Sequence, residues 1–262
     1  MKTSKMNVSM MLIVSAIAGA TFFFSCSKNE QLTPASPARP NVAMYADPAT
    51  SCPNVSNPAN PYDNAGATHN AGLDNIYSHY AEWAPDPATQ EQQFISYSTS
   101  FLCDIGYGNG DCGSVEAQIQ SSLATYRAST TEDIIHSMGS PMVQDYTRRL
   151  MDECTTYQDS TQIDSLLASI KRIESEVIAS SINEREKESF LGASSVARYS
   201  ACYWFQETQK TRSDWGHAPG NPTPAAKYNW TKFWVVLGAD IAGYIVGNVP
   251  GAIGISGVFA TI

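Results

Sequence analysis

The apolar positions of this chain recur with helical spacing over most of its length. The clearest pattern lies in 161–181, where apolar side chains fall at intervals of three and four residues: Ile163, Leu166, Leu167, Ile170, Ile173, Val177 and Ile178. This spacing predicts an amphipathic helix. The opposite face is predicted to carry Lys171, Arg172, Glu174 and Glu176. No stretch alternates convincingly with a period of two residues, so we expect an all-α fold, an irregular multi-helix bundle on a disordered N-terminal tether.

Capping signals predict where further helices begin. Asn60 followed by Pro61 favours a helix that starts there and runs to about Trp83. Asn183 and Glu186 have the spacing of a capping box before another apolar helix. Almost no loop separates that helix from the one before it, so the two are expected to be antiparallel neighbours. Other helices are predicted over 90–102, 114–126, 129–138 and 140–157, and a Gly- and Pro-rich loop over 212–225.

The first residues of the chain have the layout of an export signal. Lys2 and Lys5 precede an apolar run over 10–24, and Ser25 stands directly before Cys26. A cysteine at that place resembles the lipobox of bacterial lipoproteins. The resemblance implies cleavage before Cys26, followed by acylation of its thiol and its new amino terminus. The lipid bilayer is then the expected partner, and the expected location is outside the cytoplasm, at the outer membrane or cell surface.

Two other interpretations of the N-terminus stay open. One is an ordinary secretory signal cut near Ala18 or Ala20, and the other is an uncleaved membrane anchor. The lipobox family favours Leu and a small residue where this chain has Phe23 and Phe24. On the lipoprotein interpretation, the predicted parts are a signal peptide (1–25), a lipidated flexible tether (26–58), a helical domain (59–230) and an apolar glycine-spaced helical hairpin (231–262) that packs on the domain or continues it.

The stretch Asn60–Leu73, NPYDNAGATHNAGL, contains the first candidate functional residues. It resembles the N-P…G-x-x-H-N-x-x-L opening of uncharacterised exported lipoproteins of Gram-negative bacteria, and the resemblance implies no chemistry. Within this stretch, His69 and Asn70 are the candidate site residues. The alternative is that His69 is a core histidine whose ring is hydrogen-bonded by a neighbour, while the glycines allow close helix packing.

The C-terminal residues 233–262 are apolar, and Asp240 is their only charged side chain. Glycines recur here at every fourth position, at Gly243, Gly247 and Gly251. This spacing resembles the glycine zippers of membrane-associated and pore-forming proteins. The resemblance implies insertion into a bilayer or self-association. The alternative is a buried hairpin of two helices broken at 248–251. Asp240 is a third candidate residue, and in the buried alternative it would cap a helix or pair with a cation.

The chain has six cysteines, and five of them come after Cys26 in the sequence. Cys103 and Cys112 bracket a turn-rich loop and form the candidate disulfide. Cys154 and Cys202 lie on predicted helices, where they could be joined or could be buried as small apolar residues. The odd number leaves at least one thiol unpaired or paired between chains.

Composition restricts the classes of function. The net charge of −9 argues against nucleic acid as a partner, because phosphate binding needs clustered basic residues. We predict no catalytic residue, no metal site and no cofactor from motifs. The favoured function is a non-enzymatic binding or interaction protein of the envelope. The alternatives are a membrane-active, pore-forming or toxin-like lipoprotein that uses its C-terminal segment, and a metal-dependent hydrolase that uses His69 or His136.

Overall fold

A computed structural model describes residues 52–156, 162–210, 213, 215 and 230–261. Within these ranges the chain is helical and contains no strand, which confirms the all-α fold. The helices are α1 (Asn64–Ser78), α2 (Pro87–Asp104), α3 (Cys112–Ala128), α4 (Thr131–His136), α5 (Pro141–Thr156), α6 (Ile163–Ala179), α7 (Glu184–Gln209) and α8 (Trp230–Ala260), with short 3₁₀ turns at Tyr80–Glu82 and Tyr107–Gly110. The predicted signal peptide, Cys26, the tether up to residue 51 and most of the predicted loop at 212–225 lie outside the described residues.

Helix α8 is the central element of the bundle. It packs most extensively against α7 and α3, and it also contacts α1 and α2. Its backbone leaves helical geometry at Gly247 and Asn248, so α8 consists of two arms, 230–246 and 249–260. A Cβ at Gly243 would lie only 2.8 Å from the carbonyl oxygen of Gly251. Residues eight apart on a straight helix could not approach so closely, and α8 is therefore a tight helical hairpin.

Several glycines of α8 lie in close contacts inside the protein. Gly243 and Gly251 face each other across the bend, whereas Gly254 lies against Ile119 of α3. One helix in the described part of the chain, α8, is long and apolar enough to cross a membrane. Most of its apolar window, 83%, is buried within the protein, as in the core helix of a soluble bundle.

Helix α1 lies closely against α7 because Gly66 has no side chain. A Cβ at Gly66 would lie 2.5 Å from the backbone oxygen of Ser195. The predicted start of this helix was wrong: α1 begins at Asn64, and its last residue is Ser78. Asn60 does not cap α1, because it lies four residues before the first helical residue; its side-chain oxygen accepts from the Tyr62 amide in a turn, and its amide nitrogen donates to Glu174 and to the carbonyl of Leu191.

Residues 52–63, here called the strap, run over α6 and α7 before α1 begins. Cys52 is joined to Cys202 of α7 by a disulfide, and Val55 is buried beside it. The predicted tether extended to Pro58, but the chain is already packed from Cys52 onward. A second disulfide joins Cys103 to Cys112. Cys154 is buried with a free thiol, so the alternative in which it pairs with Cys202 is wrong.

Two details of the helix ends and faces differ from the sequence pattern. Asn183 accepts a hydrogen bond from the Glu186 amide and so caps α7. Glu186, however, does not complete a capping box, because its carboxylate accepts from the Ser140 amide at the start of α5. Glu174 was assigned to the charged face of its helix, and this was wrong: its side chain is fully buried.

Candidate functional site

The three candidate residues His69, Asn70 and Asp240 lie together in the interior of the bundle. His69 and Asn70 are on α1, and Asp240 is on the first arm of α8. His69 and Asp240 are 0% exposed and Asn70 is 3% exposed. His69 Nε2 lies 3.9 Å from Asp240 Oδ2, which is too long for a direct hydrogen bond. We call this group, with the residues bonded to it, the central polar cluster.

Hydrogen bonding through Asn70 determines the tautomer of His69. The Asn70 amide nitrogen donates to the backbone carbonyl of Tyr199 at 2.9 Å, so the amide oxygen must face His69. That oxygen lies 3.0 Å from His69 Nδ1, and an oxygen can only accept. Nδ1 therefore carries the proton, and in neutral His69 the Nε2 atom facing Asp240 is a hydrogen-bond acceptor.

Asp240 is held from α7 by two donors. The Ser200 hydroxyl and the Trp204 indole both donate to Asp240 Oδ2, the latter at 2.9 Å. Burial raises the pKa of Asp240 above its usual value, and the nearby His69 and the hydrogen bonds oppose this rise. Burial also lowers the pKa of His69, against the attraction of Asp240. The two groups are therefore both displaced toward their neutral forms by loss of water.

A second buried polar group, the strap cluster, surrounds Glu174 and Arg198. Both side chains are 0% exposed, and Arg198 Nε donates to Glu174 Oε1 at 3.1 Å. Asn57 donates to the other carboxylate oxygen at 2.6 Å. Arg198 also donates to the Val55 carbonyl and to Asp63. Both charges are thus paired and hydrogen-bonded, as buried ions require.

The strap cluster explains the role of the two Asn-Pro pairs in the strap. Asn57 and Asn60 each precede a proline, which keeps the chain extended or turned at these positions. Their amides both donate to Glu174, so the two repeats hold the strap on α6 rather than starting a helix.

The remaining candidates lie apart from these clusters. His136 is on the exposed surface, where its Nε2 lies 3.2 Å from a carboxylate oxygen of Glu132, four residues earlier. Cys103 and Cys112 form their disulfide beside the 3₁₀ turn before α3. Within residues 52–156, 162–210 and 230–261, no three His, Cys, Asp or Glu side chains converge as a metal site would require.

The central residues of both clusters are buried: His69, Asp240, Glu174 and Arg198 are all 0% exposed. His69 is on α1 and Asp240 is on α8, and these two helices pack against each other and against α7. Two hollows on the described surface are open to solvent. One of them lies between the starts of α5 and α7 and is lined by Ser140, Pro141, Met142, Ser181, Ile182, Asn183 and Glu186. The hydrogen bonds of the two clusters therefore hold helices together.

Sequence reasoning missed most members of both clusters, although a signal existed for some. Ser200 and Trp204 are four apart on α7 and so share a face with each other. Glu174 is four residues from Ile170, which places it on the apolar face of α6. No local signal pairs Arg198 with Asp63, because 135 residues separate them.

No family model, no curated protein and no solved structure matches this chain.

Proposed function

We propose that this protein is a non-enzymatic lipoprotein of the bacterial envelope, anchored by acylated Cys26, whose helical domain binds a partner protein. The observation that carries this proposal is the arrangement of Lys2, Lys5, the apolar run and Ser25 before Cys26. The disulfides Cys52–Cys202 and Cys103–Cys112 support export, because disulfides persist in oxidising compartments. The enclosed polar clusters support binding by the outer surface rather than catalysis in a cleft.

Intact-mass measurement of the mature protein tests the anchor. After expression in a bacterium with lipoprotein processing, we expect the mature chain to begin at Cys26 and to carry added acyl mass. Cys26→Ser should lose that mass and leave the membrane fraction. The matched control is Cys154→Ser, which changes the buried free thiol and should keep the lipid. A mature N-terminus elsewhere, without lipid, would contradict the proposal.

Site-specific photo-crosslinking tests the binding function. Met142 is 47% exposed and lines the hollow between the starts of α5 and α7, so a crosslinking residue there samples an apolar and accessible part of that surface. We expect a discrete adduct with one envelope protein in living cells. The same residue at Glu116, an exposed position on α3, is the control and should give none. Identical patterns at both positions would count against a specific partner.

The composition of α8 favours a second candidate function, a membrane-active protein. The whole helix is long and apolar enough to span a bilayer, but the hairpin would first have to leave the bundle. On this alternative, the full-length protein should release dye from vesicles of phosphatidylethanolamine and phosphatidylglycerol. Val235→Asp adds a charge at a position that is 52% exposed, so it should preserve the fold but reduce release. Absence of release would remove this alternative. The metal-dependent hydrolase is the third candidate, and no further observation favours it.

A further inference from the structure

The start of α8 carries an apolar face that the described helices leave open. Trp230 and Trp234 are half-buried, and with Thr155 and Thr231 they line a hollow that is open to solvent. Val235, next to Trp234, is 52% exposed and is one of two large apolar side chains exposed in the described part of the chain. None of these five side chains is charged, although the whole chain has a net charge of −9. We call the five residues the aromatic face.

The two indole rings of the aromatic face are held in place from beneath. Phe233 is 0% exposed, and its ring centroid lies 4.8 Å from that of Trp230 and 4.4 Å from that of Trp234. Rings that are already fixed lose little conformational entropy when they bind. An indole also has a large apolar body and a single N–H donor, which is why tryptophan is enriched where a membrane meets water.

The aromatic face lies beside the point where the predicted tether enters the domain. Phe205 packs against the small apolar cluster that contains the Cys52–Cys202 disulfide. The ring centroid of Phe205 is 6.4 Å from that of Trp230. Cys52 is the first described residue, and as a flexible chain the predicted tether has a reach of about 30 Å. An anchor at Cys26 would therefore hold the bilayer close to this face.

We propose that the aromatic face docks the domain on the surface of the bilayer in which Cys26 is anchored. Trp230, Trp234 and Val235 enter the boundary between the lipid headgroups and the acyl chains. This inference rests on the proposed anchor and deepens it, because it assigns the anchored domain an orientation.

The tether favours lipid over a protein as the occupant of this face. A tethered domain meets its own bilayer at a high effective concentration, so a small apolar face is sufficient for contact. The contact is peripheral and leaves the bundle intact. Most of the apolar window of α8, 83%, stays buried inside the protein, and only its open edge touches lipid.

Quenching of tryptophan fluorescence by brominated phospholipid tests the contact. The full mature chain, with Cys26→Ser and a hexahistidine segment before it, is held on vesicles of brominated phosphatidylcholine that contain a nickel-chelating lipid. This artificial anchor makes the result independent of acylation. Co-flotation of the protein with the vesicles confirms that the chain is held there.

The positions of the tryptophans make this signal specific. Trp83, Trp204 and Trp215 are 3%, 0% and 2% exposed, so bromine in the acyl chains should quench only the two indoles of the aromatic face. We expect lower emission than on vesicles of the unbrominated lipid. Trp230→Phe with Trp234→Phe should remove that difference.

Two exposed positions supply matched reporters in this double-Phe background. Val235→Trp puts an indole in the aromatic face, and Met142→Trp puts one at a similarly exposed position on α5. Met142 and Thr155 are near opposite ends of α5, about 20 Å apart at the rise of an α-helix. Quenching should return with Val235→Trp and stay absent with Met142→Trp.

Quenching of neither reporter, or equal quenching of both, would overturn the proposal. Val235→Asp changes an exposed side chain and provides a test that does not need the double variant to fold. It should reduce quenching in the chain that keeps all its tryptophans, and unchanged quenching would also contradict the proposal. Failure of the anchor is distinguished by mass: an unacylated natural chain contradicts the anchor, whereas quenching on the artificial anchor still supports the aromatic face.

Discussion

The burial of His69 makes the free energy of unfolding depend on pH. Its pKa is lowered in the folded protein, so the unfolded chain binds a proton more readily below the ordinary histidine pKa of about 6.5. The stability associated with neutral His69 is therefore present above that pH and is lost as the pH falls through the folded pKa. Asp240 has the opposite sign: its raised pKa adds stability at low pH, which is lost as the pH rises through its folded value.

His69→Gln should therefore be most destabilising at neutral pH. Relative to the unmodified protein, we expect its deficit in unfolding free energy to shrink between about pH 7 and pH 5, because the unmodified protein must then protonate or expel the ring. Urea unfolding across this range measures the difference. His136→Gln is the control, since that ring is exposed, and its effect should be small throughout. A deficit that stays constant with pH would contradict a neutral buried His69.

At the scale of elements, close helix contact depends on glycine at chosen positions. Gly66 lies against the backbone of Ser195, which cannot move aside as the end of a flexible side chain could. The backbone N–H of Gly66 also donates a hydrogen bond to Ser195 Oγ at 3.0 Å, which joins the two helices at this point. The α1–α7 contact is therefore set by the absence of a Cβ at residue 66.

Gly66→Ala should destabilise the protein by about 1–3 kcal/mol through overpacking. Gly238→Ala is the matched control in α8, where a Cβ meets no atom within 4 Å. There the gain in helix propensity should stabilise by roughly 0.5–1 kcal/mol. Thermal and urea unfolding of both variants measure the two signs. A neutral or stabilising Gly66→Ala would show that α1 and α7 are farther apart than described.

The bend of α8 depends on an unusual backbone conformation at Asn248. Its φ of 52° and ψ of −150° lie in a region that glycine adopts far more readily than other residues. Asn248→Gly should therefore stabilise the protein by about 1 kcal/mol. Asn109 has φ 54° and ψ 30°, the left-handed helical region that Asn tolerates. Asn109→Gly, the control, should change stability by less. Destabilisation by Asn248→Gly in chemical unfolding would argue against this bend.

At the scale of the whole molecule, the strap and its disulfide join the start of the domain to a core helix. The Cys52–Cys202 bridge closes a separation of 150 residues, whereas Cys103–Cys112 closes 9. A bridge across a longer loop restricts the unfolded chain more. On the lipoprotein proposal, the chain leading from Cys26 would reach the domain at this bridge.

Removing the long bridge should cost more than removing the short one. By loop entropy alone, Cys52→Ala with Cys202→Ala should lose about 5 kcal/mol, and Cys103→Ala with Cys112→Ala about 2.5 kcal/mol. Urea unfolding under non-reducing conditions compares the two double variants. Equal losses would indicate that the strap contributes little to the stability of the bundle.

Much of the fold could be predicted because helical periodicity is local. The apolar spacing of 161–181 and the cap at Asn183 depend on residues within a few turns, and both helices are present. His69, Asn70 and Asp240 also stood out, because polar residues inside apolar patterns are unusual. Their meeting could not be predicted, since 171 residues of sequence separate Asp240 from His69 and no local rule connects them.

The sequence by itself determined the helical class and the apolar character of the C-terminal segment, because each depends on composition or on neighbouring positions. The tertiary structure decided which residues share the interior. It placed Asn60 on Glu174 instead of at a helix cap, joined Cys202 to Cys52, and folded α8 back on itself at Gly247 and Asn248. These outcomes depend on contacts between distant parts of the chain, whose free energies are settled only when all the helices pack together.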